Sequence, residues 1–223
     1  MPDDAPHPPP APWLLPLPAP VWAVLAALAG LEAAFWLGAQ GLIGGPAAAG
    51  WRLVLAEHIG VSAPLQAWMI ETRQAPLEHL LRYLGYPLIH AGPLQAGLSA
   101  VFIAALGKAV GGWLGAVRLA AVLVVPAAAG AAVFGLLAPP PGLLLGAMPV
   151  VFALLGAWAV ERRTRAALGV VGVFVVLRLA VGVWIEPGAV WIAELAAGAL
   201  GAGLAALLAP GVPGRVLVWL RAR

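Results

Sequence analysis

Long apolar runs alternate along the chain with short breaks of turn-forming or charged residues. The runs lie at about 21–43, 87–106, 116–138, 142–160, 167–185 and 188–209. Each is near the roughly 20 residues that a helix needs to cross a bilayer. The breaks are of the kind that end helices. Gly111-Gly112 divides the second run from the third, and Pro139-Pro140-Pro141-Gly142 the third from the fourth. Glu161-Arg162-Arg163-Thr164-Arg165 divides the fourth from the fifth, and Glu186-Pro187-Gly188 the fifth from the sixth. Proline, glycine and clustered charge stop helices and shape turns, so the pattern predicts six transmembrane helices.

The stretch between the first two runs reads differently. Residues 44–86 interleave Arg52, Glu57, His58, Glu71, Arg73, Glu78, His79 and Arg82 with Trp51, Trp68, Tyr83 and Tyr86. Aromatic and charged residues together suit the membrane–water interface. The pattern at Trp51–Leu55 and again at Leu77–Leu81 predicts short amphipathic helices lying on or partly in the bilayer. Residues 1–20 are Pro-rich, with Asp3 and Asp4 and no basic residue, which predicts a disordered tail without a signal peptide's basic start. The expected organisation is therefore a tail over 1–20, one membrane domain over 21–210 with an interfacial loop at 44–86, and a basic tail over 211–223.

Composition narrows the class. Of the 223 residues, 63% are hydrophobic and 9% charged, with a mean hydropathy of +0.99. A soluble domain carries roughly 45–50% apolar and about 25% charged residues, so this chain cannot cover a soluble surface. The absence of cysteine removes disulfides, thiolate nucleophiles and cysteine zinc sites. The pI of about 10.2 reflects a net charge of only +3, spread over separate loops rather than one basic face, which excludes nucleic acid as a partner. With six spans, one side of the membrane collects Lys108, Arg118, Arg162, Arg163, Arg165, Arg215, Arg221 and Arg223, the other only Arg52, Arg73 and Arg82. The arginine-rich side faces the cytoplasm, which puts both termini inside. Abundant Ala, Gly, Pro and Arg, with one lysine and no asparagine, suggest a GC-rich bacterial genome and hence a bacterial inner (plasma) membrane.

Three local motifs carry a family resemblance. Residues 82–90 read Arg-Tyr-Leu-Gly-Tyr-Pro-Leu-Ile-His, residues 146–156 read Gly-Ala-Met-Pro-Val-Val-Phe-Ala-Leu-Leu-Gly, and residues 193–201 read Ala-Glu-Leu-Ala-Ala-Gly-Ala-Leu-Gly. These resemble the rhomboid intramembrane serine proteases: the His-rich start of their second helix, their Gly-x-Ser-Gly-x-x-(Phe/Tyr)-(Ala/Gly)-Leu-(Leu/Met)-Gly segment, and their Ala-His-x-x-Gly-x-x-x-Gly segment. The resemblance spans about 82–205 and implies an all-α, six-helix rhomboid-like bundle with a long interfacial first loop.

The same motifs imply a broken catalytic site. Peptide hydrolysis by this family needs a serine nucleophile, a histidine base and oxyanion donors. The nucleophile position is Met148, the glycine after it is Pro149, and the base position is Glu194. In the second helix His90 is kept, while the next His position is Gln95 and the Asn position is Ser99. The remaining serine, Ser62, lies four residues after His58, and the two would touch if that stretch were helical. No motif around it supports catalysis, and Thr72 and Thr164 fall in loops.

Other polar residues admit more than one reading. Glu194 either faces water in a vestigial cavity or pairs with Arg178, which lies about two-thirds of the way out along the fifth span at a rise of roughly 1.5 Å per residue. Glu32 in the first span competes for the same arginine. An unpaired charge at the bilayer centre costs roughly 2.5–3.5 kcal/mol, which favours pairing, and a proton pathway is the sharper alternative. Glu57-His58 and Glu78-His79 carry metal-ligand chemistry, but their spacing matches no metal motif and suits interfacial solvation. No metal or cofactor is expected. Ala197, Gly198, Gly201 and Gly203 form a small-residue face for close helix packing, with homodimerisation as the second reading. Trp158, Trp184, Trp191 and Trp219 fall near span ends.

The resemblance and the replacements together imply a pseudoprotease that binds transmembrane segments of client proteins in the lipid bilayer without cutting them. An active rhomboid endopeptidase and a small transporter or membrane-assembly subunit are the alternatives.

Overall fold

A computed structural model describes residues 17–184 and 188–212. Most of the amino-terminal tail (with Asp3, Asp4 and His7), the Glu186-Pro187 break and the basic tail bearing Arg215, Trp219, Arg221 and Arg223 lie outside the described residues. The fold is almost wholly helical: α1 Ala19–Ala39, α2 Trp51–Ile59, α3 Ala63–Thr72, α4 Leu77–Gly85, α5 Pro93–Leu114, α6 Ala116–Leu137, α7 Met148–Arg162, α8 Arg165–Trp184 and α9 Trp191–Leu208. Short 3-10 turns occupy Pro46–Gly50 and Tyr86–Leu88, and a two-residue antiparallel ladder pairs β1 Val61–Ser62 with β2 Leu143–Leu144. Among the described residues, five helices are long and apolar enough to cross a membrane: α1, α5, α6, α8 and α9.

The fourth apolar run departs from the expected full span. Its helix, α7, has 15 residues, about 22 Å at a rise of 1.5 Å per residue, against a hydrocarbon core of roughly 30 Å. The first part of the run is used differently. Leu143–Leu144 pairs with β1, and Gly146 donates its N–H to Tyr86 O at 3.1 Å. Buried backbone must find partners, and β1 and Tyr86 supply them. From Pro149 to Ala157 every residue of α7 is buried. Val150, Val151, Leu154 and Ala157 pack with Ile103, Val110, Leu119, Val122 and Leu123 from α5 and α6.

The second run shifts as well. Residues 86–88 form a 3-10 turn, and α5 starts only at Pro93, where a missing N–H costs nothing. It then runs through Gly111-Gly112, and the chain turns at Gly115 with φ 80°. Gly111 is a packing residue rather than a turn, because a Cβ there would lie 2.5 Å from Pro18 Cγ and 2.8 Å from Leu119 Cδ2. Lys108 consequently sits inside α5, not in a loop.

Glycines set the centre of the bundle. A Cβ on Gly156 of α7 would lie 2.1 Å from Gly198 O, one on Gly201 of α9 2.3 Å from Ala153 O, and one on Gly130 of α6 2.5 Å from Ala193 O. Small residues let the backbones approach this closely. On α9 the buried stripe is Ala193, Ala197, Gly201 and Ala205. Gly203 is exposed with nothing within 4 Å, so it does not belong to the expected packing face. The tryptophans near span ends divide: Trp184 is exposed, while Trp158 packs against the core and Trp191 fills the space beside Gly182.

The interfacial stretch folds as three short helices. On α4, Leu77, Leu80, Leu81 and Leu84 share one face at i, i+3, i+4 and i+7, and all four are exposed.

Candidate functional site

The site is built where β2 leads into α7. Ala63 donates its N–H to Gly142 O at 3.0 Å, which anchors the segment to the interfacial helices. Gly146 holds φ 90°, and a Cβ there would lie 3.0 Å from Gln95 Nε2 and 3.4 Å from His90 Cδ2. Both the left-handed backbone and the tight approach call for glycine. The next residue, Ala147, donates its buried N–H to His90 Nε2 at 3.1 Å. An accepting Nε2 leaves the imidazole proton on Nδ1. Burial holds the His90 pKa below its usual value, opposed by the nearby Glu32 charge. Gln95 Oε1 accepts from Ala91 N–H at 3.0 Å, which turns the amide back toward the start of α5.

Beyond this corner lies a cavity of about 560 Å³. Gln95, Met148, Arg178 and Glu194 line it together with Phe152, Phe174, Leu177 and Val181. Met148 opens α7, Arg178 projects from α8, and Glu194 sits in the first turn of α9, where a helix favours negative charge. Arg178 Nε donates to the Glu194 carboxylate. Glu194 is 2% exposed, and the Arg178 side chain 12%. Tyr86 donates its hydroxyl to Ala127 O at 2.9 Å, and burial together with the charge of Glu194 raises its pKa. Pro149 is buried in the first turn of α7, where a proline fits without losing a helical hydrogen bond. Ser99 is fully buried, is not among the residues that line the cavity, and its Oγ has no hydrogen-bond partner among the described residues.

A model of the rhomboid domain matches residues 77–211, more than half of the chain. The chain belongs to the rhomboid family. No curated protein matches it. The matched region runs from α4 to the end of α9, so this rhomboid domain holds every wall of the cavity and leaves α1, α2 and α3 outside the match.

Within this rhomboid, the acid in the first span has its own partner. Arg52 of α2 grips Glu32 with both ends of its guanidinium, at 2.8 and 2.7 Å. The same Arg52 donates to His90 O at 2.8 Å and lies 4.5 Å from the centre of the Phe35 ring. The expected competition between Glu32 and Glu194 for Arg178 therefore does not arise. Bidentate pairing by a planar fork is the strongest form of this contact. Arg52 is the residue that the sequence reading missed, since it classed that arginine as an interfacial charge. The available signal was Glu32 itself, an acid inside a span with a basic residue on the next amphipathic segment.

The other sequence candidates separate. Ser62 caps α3, its Oγ accepting from Leu65 N–H at 3.4 Å, while His58 Nδ1 meets Val54 O at 2.8 Å in the last turn of α2. Gly60 and β1 break the helix between them, so the i, i+4 contact of a His58–Ser62 dyad does not form. Glu78 and His79 lie 3.7 Å apart. Among the described residues, no three His, Asp or Glu side chains are grouped to hold a metal ion. Among the described residues, the side chains that line the cavity include no hydroxyl, thiol or imidazole. A thioether cannot be activated as an acyl acceptor, and the carboxylate in the same lining is already held by Arg178.

Proposed function

We propose that this rhomboid is a pseudoprotease that holds transmembrane segments of client proteins in the α7–α8–α9 cavity without cleaving them. The observation that carries the reading is the lining of that cavity: Met148 shares it with the Arg178–Glu194 pair, and among the described residues no hydroxyl, thiol or imidazole joins them. Phe152, Phe174, Leu177 and Val181 give the rest of the wall an apolar surface suited to a membrane-embedded helix. Fold alone does not assign activity; these side chains do the discriminating.

The reading includes a six-helix membrane domain over 21–210, in which the short α7 is the fourth helix of the six, between a tail over 1–20 and a basic tail over 211–223. Both termini lie in the cytoplasm of a bacterial cell, and the protein sits in the inner membrane. Reporter fusions after residues 115, 140 and 164 test the orientation, and an outside signal at 164 refutes it.

A photo-crosslinking amino acid at Phe174, with a fluorophosphonate probe on the same membranes, tests the function. The expected result is uncut membrane-protein adducts and no probe labelling. Probe labelling with substrate cleavage would assign an active endopeptidase instead. A proton or solute flux abolished by Arg178→Leu would assign a transporter.

A further inference from the structure

A second concavity shares no lining residue with the Met148 cavity. It measures about 640 Å³ and is bounded by Met69 and Ile70 of α3, Leu80 and Leu84 of α4, and Ala128 and Ala132 of α6. Its volume falls in the roughly 300–1,000 Å³ range of small-molecule sites. Its polar floor is closed. Gln66 Nε2 donates to Ala132 O at 2.9 Å, and Gln66 Oε1 accepts from the Tyr83 hydroxyl. What remains open is apolar, except at one end, where Arg73 and Gln74 form the mouth.

Depth fixes what can lie there. Ala132 is five residues and Ala128 nine residues from the end of α6 at Leu137. At 1.5 Å per residue these are about 8 and 14 Å along α6, against about 15 Å for the hydrocarbon of one leaflet. α4 flanks it with no buried residue, and its leucine face points outward. Such a face is covered by acyl chains in a bilayer. At the mouth Arg73 is exposed and, among the described residues, carries no ion-pair partner. It caps α3 in the left-handed conformation with φ 54°. An apolar trough that reaches one exposed cation complements a molecule with a hydrocarbon chain joined to a phosphodiester.

We infer that the trough between α3, α4 and α6 is a phospholipid site, with one acyl chain along Ile70, Leu80, Leu84 and Ala128 and the phosphate on Arg73. The site is independent of the Met148 cavity and of any pseudoprotease role.

Native mass spectrometry of the full chain from nanodiscs tests it. One set of nanodiscs contains phosphatidylglycerol, and the other the phosphate-free lipid monogalactosyl diacylglycerol. The wild-type chain should retain one phosphatidylglycerol above the background of loosely held lipid, and no galactolipid. Arg73→Asn keeps a residue that tolerates positive φ and should lower that occupancy about fivefold, the effect of one interfacial cation. Ala128→Phe fills the deep end and should lower it with Arg73 intact. Arg163→Asn is the control, because Arg163 is also exposed and left-handed, at the end of α7. Equal loss with Arg163→Asn, equal retention of galactolipid, or no retained lipid at all would overturn the site. So would crosslinks from a probe at Leu80 that reach a protein rather than lipid.

Discussion

Arg178 of α8 and Glu194 of α9 form an ion pair across the cavity that opens at Met148. Both side chains are largely removed from solvent. A buried charge left without its partner keeps its desolvation cost and loses the compensating attraction, typically about 3–5 kcal/mol. Arg178→Leu alone should therefore lower the thermal midpoint in detergent more than Arg178→Leu with Glu194→Leu does. Additive effects of the two single changes in a double-mutant cycle would show that the pair contributes no coupling.

The His90–Ala147 contact gives a pH dependence with a definite sign. The folded-state pKa of His90 lies below its ordinary value of 6.5, chiefly because the ring is buried. Below pH 6.5 the unfolded chain takes up a proton that the folded chain resists, so stability falls with pH through that region. The loss is complete once the pH is below the folded-state pKa. His90→Gln keeps an acceptor for Ala147 N–H and removes the titration. The difference in thermal midpoint between wild type and His90→Gln should narrow or reverse from pH 8 to pH 5, to the disadvantage of the wild type. Parallel curves would show that His90 does not titrate differently on folding.

Two glycines of α9, two residues apart, should respond in opposite directions to the same change. Gly201→Ala forces a Cβ to 2.3 Å from Ala153 O, so α7 and α9 must separate. Overpacking of this kind costs about 1–3 kcal/mol. Gly203→Ala meets nothing within 4 Å, and a helical Gly→Ala change of this type gains about 0.5–1 kcal/mol. Thermal unfolding of the two variants checks the sign, and equal shifts would contradict the close α7–α9 packing at Gly201.

What could be read in the chain followed physical strength. Five of the apolar runs gave the long helices α1, α5, α6, α8 and α9, because hydrophobic length is a direct demand of the bilayer; four kept close to their expected boundaries, while the second moved from 87–106 to Pro93–Leu114. The fourth run misled because Leu143-Leu144 is as apolar as any helix segment, and its pairing with Val61-Ser62 is a long-range contact with no local pattern. Gly111-Gly112 misled for the reverse reason. A turn and a close helix contact both call for glycine, and only the nearness of Pro18 and Leu119 tells them apart. At the site, motif register was enough to single out Met148 and Glu194 as residues of interest. The link from Glu32 through Arg52 to His90 O was not legible, because it depends on α2 folding back against α1.

The most demanding prediction concerns rebuilding the catalytic pair. The wild-type chain should show no covalent labelling by fluorophosphonates or β-lactams, since the described residues that line the cavity offer no hydroxyl beside a base. Met148→Ser, Pro149→Gly and Glu194→His together supply a hydroxyl, a glycine and an imidazole at the cavity positions. That triple variant also removes the carboxylate that holds Arg178, so it should be unstable. Adding Arg178→Leu should recover much of the lost thermal midpoint, and the quadruple variant is the one in which labelling is expected. The rate should stay low, because Ala147 N–H is already given to His90 and Gln95 Oε1 is turned back to Ala91 N–H. One missing oxyanion donor alone lowers the rate by roughly 10²–10³. Labelling of the wild-type chain that disappears on Ser62→Ala or Ser99→Ala would overturn the pseudoprotease reading, since it would mean that one of the chain's two serines reaches a base that the present arrangement does not give it.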